Sequence, residues 1–191
     1  MKGDQRVLTI TVPGTELFDE KNQEFITHDE FELELEHSLV AISKWESIYE
    51  KPFLGKDEKT SAEVIAYVQC MTVTPNVPLD VYFRLNQENF DQISTYIDAK
   101  MTATWFNETP STRRPSSEII TSELIYYWMV ALNVPFECDT WHLNRLLTLI
   151  KIINIKNAPK KKRSRGEVAA EQRALNEKRR AEWEARKRKE G

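Results

Sequence analysis

The feature that most restricts the fold is a change of apolar period at Ser38. Before it, Phe31, Leu33 and Leu35 alternate with Glu30, Glu32, Glu34 and Glu36, the two-residue repeat of a strand with one wet face. After it, Leu39, Ile42, Trp45, Ile48 and Tyr49 recur at helical spacing until Pro52, where a helix must stop. An earlier β-branched run, Val7 to Val12, ends at the turn signal Pro13-Gly14. Glu16 to Phe18 and Glu24 to Ile26 flank a polar stretch and predict a short hairpin.

Beyond Pro52 every patterned segment is helical. Thr60-Ser61-Ala62-Glu63 has capping-box spacing, with Val64, Ile65, Val68 and Met71 continuing the helix. Pro75 and Pro78 mark a loop, and Phe90, Ile93, Ile97 and Met101 predict a helix from Asn86. A polar stretch with Pro110, Arg113, Arg114 and Pro115 reads as a loop. Ser117 is the expected start of the next helix, with Ile120, Leu124, Tyr127, Trp128, Ala131 and Leu132 as its apolar face. Asp139 or Thr140 is the expected cap of another, apolar nearly all round through Trp141, Leu143, Leu146, Leu147, Ile150 and Ile153. Such a helix should be buried or shared with a partner. The expected fold is α+β, mostly α: a small N-terminal antiparallel β-sheet, then a helical bundle, then an exposed basic C-terminal helix.

Charge adds a second boundary. Residues 1 to 150 hold 12 Lys and Arg against 24 Asp and Glu, a balance of −12, whereas residues 151 to 191 hold 15 against 6, a balance of +9, within an overall −3. The expected organisation is residues 1–36 as a β-sheet region, 37–156 as a helical body forming one domain with it, and 157–191 as a basic linker and helix. Ser164-Arg165-Gly166-Glu167 has the spacing of another capping box. High alanine and arginine content favours helix there, yet Val168, Leu175 and Trp183 make no continuous apolar stripe.

Few catalytic classes find support. His28, His37, His142, Cys70 and Cys138 show no pair at metal-ligand spacing. His37 is expected to serve the strand-to-helix turn and His142 to pack at a helix start. With five glycines and neither GxGxxG nor GxxxxGK[ST], phosphate cradling is poorly served. No GxSxG is present. The row from Glu30 to Glu36 is expected to be a solvated face, and Cys70 a buried structural thiol. No metal, cofactor or catalytic residue is expected. The two distant cysteines and the absence of a leader pattern suggest a reducing compartment. No apolar run reaches the roughly 20 residues of a spanning helix, so no membrane is expected as a partner.

Four segments carry a family resemblance: Ser43 to Phe53 (SKWESIYEKPF), Met101 to Phe106 (MTATWF), Trp141 to Ile150 (WHLNRLLTLI) and Ala174 to Arg180 (ALNEKRR). Over roughly residues 30 to 180 the chain resembles tailed-bacteriophage tail-module proteins, most closely the tail assembly chaperones. The resemblance implies a small, non-catalytic helical protein that coats the tape-measure protein and helps polymerise tail-tube subunits. It would act in the host cytoplasm during infection, with the virion as the other location. Expected partner-binding residues are Trp141, Leu146, Ile150 and Ile153 on the apolar helix, and Lys160, Lys161, Lys162, Arg163, Arg165, Arg179, Arg180 and Trp183 at the basic end. Those cations also suit a virion structural or nucleic-acid-associated protein contacting phosphates, or self-association with an acidic body.

Overall fold

The computed structural model describes residues 7–19, 23–106, 119–158 and 165–187. The fold is α+β and mostly helical. Among the described residues four short strands come first: β1 (Leu8–Val12), β2 (Thr15–Asp19), β3 (Glu24–His28) and β4 (Phe31–Leu35). β1 pairs with β4 and β2 with β3, both antiparallel. Val12 faces Phe31 and Thr15 faces His28, so two residues on each side, Pro13-Gly14 and Asp29-Glu30, separate two ladders of one register. The separately predicted strands and hairpin are one long, interrupted β-hairpin.

The interruption has a physical cause. Pro13 lacks an N–H to donate, and a Cβ on Gly14 would stand 2.6 Å from the His28 carbonyl oxygen, so only glycine permits that approach. The Arg84 guanidinium donates to the Pro13 and Asp29 carbonyls at 2.8 and 3.0 Å. One cation thus satisfies acceptors from both sides of the break.

Alternation on β1 and β4 buries Ile10, Val12, Leu33 and Leu35 on one face. Glu30, Glu32 and Glu34 are exposed as expected. Glu36 is the exception: it is half-buried, and burial raises its carboxyl above the ordinary range. The free edge of β4 is covered by residues 71–74. Glu36 N–H donates to the Met71 carbonyl at 2.8 Å and Val73 N–H to the Glu34 carbonyl at 2.9 Å.

Helix α1 (Leu39–Tyr49) starts where Ser38 accepts from Ala41 N–H and ends at Glu50, which adopts a left-handed φ of 51°. Its buried side, Leu39, Ala41, Ile42 and Trp45, belongs to the same hydrophobic core as the sheet's buried residues, while Ile48 is exposed. Helix α2 (Ser61–Met71) has both arms of the expected capping box, Thr60 with Glu63. Lys51 pairs with Glu63, and that contact, with the Thr60 N–H, holds the Glu63 carboxyl below its ordinary value. Trp45 donates its indole N–H to the Glu63 carbonyl at 2.9 Å, tying α1 to α2.

The Pro75–Pro78 segment leads into a short helix, α3 (Leu79–Phe83), which the residue pattern did not reveal. Helix α4 (Gln87–Asp98) is capped reciprocally by Asn86 and Asn89. The polar stretch 107–118, including the expected helix start at Ser117, lies outside the described residues. Helix α5 (Ser122–Ala131) is capped by Thr121. A 3-10 turn, Phe136–Thr140, follows in place of the expected cap at Asp139 or Thr140, and α6 (Leu143–Asn157) begins after His142.

Residues 1–156 and 157–191 form two separate compact units. The second contains α7 (Arg165–Lys187). Among the described residues no helix is long and apolar enough to cross a membrane.

Candidate functional site

A polar cluster lies buried where β4, α2, α4 and α6 converge. His37 Nδ1 lies 2.6 Å from the Tyr67 hydroxyl, and the Tyr96 hydroxyl accepts from His37 N–H at 3.4 Å. The His142 ring stands 5.0 Å from those of His37 and Tyr96. His142 Nδ1 accepts from Asn144 N–H at 3.3 Å, so Nε2 carries the proton and donates to the Tyr96 carbonyl at 2.9 Å. A second proton on His142 would set two donors face to face.

Burial, reinforced by neighbouring His142, pushes His37 down to about 3. Burial also lowers His142 and raises the Tyr67 and Tyr96 hydroxyls. All four rings are neutral at pH 7 and closed to solvent. The cluster satisfies buried backbone groups at the β4 to α1 turn and the start of α6, the roles expected for His37 and His142. Burial raises both thiols, Cys70 and Cys138, and Cys70 is half-buried, more accessible than expected. Among the described residues no group of three or more His, Cys, Asp or Glu is placed to hold a metal ion.

A carboxylate does further structural work. Glu46, buried on α1, accepts from Phe53 N–H at 2.8 Å and from Ser122 N–H at 2.7 Å. The second bond meets an orphan N–H in the first turn of α5, where backbone dipoles favour negative charge.

The expected contact helix is α6, and the structure sets its apolar residues at different depths. Leu146 and Ile150 are buried in the core. Ile153 packs partly against the same core. Trp141 is half-buried, with the Arg145 guanidinium 4.1 Å over its ring. At the basic end, Lys160, Lys161, Lys162 and Arg163 lie outside the described residues. Arg165 opens α7, on which Arg179, Arg180 and Trp183 are exposed.

One apolar surface left open among the described residues is on α5. Its buried side is Ser122, Ile125 and Met129, not the stripe through Tyr127 and Ala131 expected from the residue pattern. Tyr127 is 65% exposed, Val130 60% and, after the helix, Phe136 57%. Tyr127, Val130 and Ala131 share a face at three-to-four spacing, and Tyr126 stacks near Phe136 with ring centroids 6.3 Å apart. Tyr126 also donates to Asp139 at 3.3 Å, and burial pushes its hydroxyl up to about 12. The sequence signal was available: Leu124 to Leu132 is apolar on every side of the helix, so one side must be left over once the other meets the core.

A groove of about 640 Å³ runs beside α6. Trp105, Phe106, Leu147 and Thr148 line it, with Lys100 4.0 Å over the Trp105 ring and Lys151 4.2 Å over the Phe106 ring.

Compared with known proteins, the chain matches no family model, no curated protein sequence and no solved structure.

Proposed function

We propose that this protein is a non-catalytic assembly factor of the tail-assembly-chaperone kind, which holds a tape-measure chain or tail-tube subunits in the infected cell. The observation that supports it most is the open face of α5, where Tyr127, Val130 and Phe136 remain exposed beside a closed core. Apolar surface of this kind suits the helical segments of a long partner chain laid into a shallow apolar site. Surrounding acidic residues keep such a complex soluble. The likeness of the Ser43 to Phe53, Met101 to Phe106, Trp141 to Ile150 and Ala174 to Arg180 segments to tail assembly chaperones points the same way. In this reading the buried histidines and tyrosines are architecture, and the host cytoplasm is the place of action.

The test is mass spectrometry of proteins co-purifying with the tagged full-length chain from infected cells after nuclease treatment. Recovery of tape-measure or tail-tube protein is the expected result, and its absence would defeat the reading.

The second reading is a virion structural or nucleic-acid-associated protein. It is favoured by α7, a 23-residue helix on which Arg173, Lys178, Arg179 and Arg180 are exposed. DNA binding that falls steeply with salt, and that is lost when the chain ends at Lys156, would support it.

A further inference from the structure

The body is acidic, with residues 1 to 150 balancing at −12, yet one stripe of it is not. Residues 99–106 and 141–156 hold Lys100, Arg145, Lys151 and Lys156 and neither aspartate nor glutamate. The groove beside α6 is lined from these two segments. Lys100 and Arg145 are exposed, and among the described residues neither is paired with a carboxylate. Lys151 stands over the Phe106 ring at 4.2 Å and is not asked to meet a ligand. A cationic stripe without carboxylates on an acidic body draws a polyanion to that stripe and repels it elsewhere.

The same stripe carries stacking surface. Trp105 is 78% exposed although Lys100 lies 4.0 Å over its ring, so the other face of the indole is open. Such a ring adds nothing to the core and is a platform on which any unpaired base can stack. Asn144, which lines the groove, fixes the segment that leads to Trp105. Its amide donates to the Ile97 and Ala99 carbonyls, both at 2.9 Å. Both amide hydrogens are then used, and Oδ1 is left as an acceptor for a base N–H. Thr148 lines the groove as well, its hydroxyl donating to the Asn144 carbonyl at 2.7 Å, and Arg145 stands one turn before it on α6. The volume of about 640 Å³ falls in the roughly 300–1,000 Å³ range of clefts that enclose a compact ligand.

We propose that this groove binds single-stranded nucleic acid, with a base stacked on the open face of Trp105 and phosphates of the same strand on Lys100 and Arg145. A duplex keeps its bases stacked on one another and has none to offer the indole, so the site favours single strands. It uses neither the α5 face, which supports the assembly reading, nor the cations of α7.

Fluorescence anisotropy of a labelled single-stranded oligonucleotide of mixed sequence, titrated with the full-length protein over a salt series, tests this. Trp105→Ala should weaken binding roughly 5- to 100-fold, the loss of one stacked base. Trp105→Phe should keep most of the affinity, because a ring remains. Lys100→Gln with Arg145→Gln should lower the slope of log affinity against log salt by about 1.4, the release of two phosphate contacts on a single strand. The substituted residues are exposed, and circular dichroism checks that each variant is folded. Arg179→Gln with Arg180→Gln on α7 is the control, and the effect of Trp105→Ala should persist in that background. A duplex of the same sequence should bind more weakly and be indifferent to Trp105→Ala. Failure to bind the single strand, binding unchanged by Trp105→Ala, a Trp105→Phe variant as weak as Trp105→Ala, or an equal loss for single strand and duplex would overturn the proposal. So would binding that the α7 control abolishes and the groove variants leave intact, which would assign nucleic acid to α7 alone.

Discussion

Lowering the pH from 7 to 5 should destabilise this protein through His37, in a window where ordinary carboxylates are still ionised. His37 ordinarily titrates near 6.5 and is pushed down to about 3 in the fold, first by burial and then by His142. A lowered histidine pKa means that the unfolded chain takes up the proton first. The stability is therefore full above the unfolded pKa and is lost as pH falls toward the folded one. One such histidine removes about 0.2 kcal/mol at pH 7, about 0.8 at pH 6 and about 2 at pH 5. His142 is lowered too and acts in the same direction. Raised Glu36 acts in the opposite direction, and comparison with a His37→Gln variant cancels both. Urea unfolding followed by the fluorescence of buried Trp45 gives the free energy at each pH, provided the denaturant slope stays constant. The wild type should lose about 2 kcal/mol more than His37→Gln between pH 7 and 5. Parallel pH profiles for the two proteins would refute the reasoning.

Glu46→Gln should cost about 1–3 kcal/mol in the same assay, because an amide NH₂ replaces one acceptor and leaves either the Phe53 or the Ser122 N–H unsatisfied. Leu146→Ala should cost about 2–5 kcal/mol and Ile153→Ala distinctly less, since the first side chain is fully enclosed and the second only partly. Equal costs would contradict the placement of α6. Arg84→Met should cost about 1–3 kcal/mol by stranding the Pro13 and Asp29 carbonyls. It should also speed hydrogen exchange in β2 and β3, and unchanged exchange there would remove Arg84 as the pin of the β2–β3 ladder.

Much of the fold was legible because local chemistry and tertiary structure agree. The Phe31 to Leu35 alternation, the change of period at Ser38, the Thr60 cap and the stop before Pro52 are each decided within a few residues. The joined hairpin was not legible, because its shared register depends on partners up to 27 residues apart, Leu8 with Leu35. Helix α3 is only five residues long, too short for a periodic signal. The buried sides of α5 and α6 were not legible for a different reason. Both α5 and α6 are rich in apolar residues on several sides, and periodicity cannot say which side meets the core when every side is apolar. Leu146 and Ile150 turned inward, and Tyr127 and Val130 were left outside. The aromatic groove was equally hidden, since Phe106 and Lys151 are brought together only by the return of α6 past residues 100–106.

The most direct test of the proposed function is site-specific photo-crosslinking in infected cells, with benzoyl-phenylalanine in place of Tyr127 in the full-length chain. The account predicts covalent capture of a tape-measure or tail-tube protein from that position, and none from a control at exposed Glu32 on the sheet's wet face. Equal labelling at both positions, or capture of neither protein at Tyr127, would contradict it.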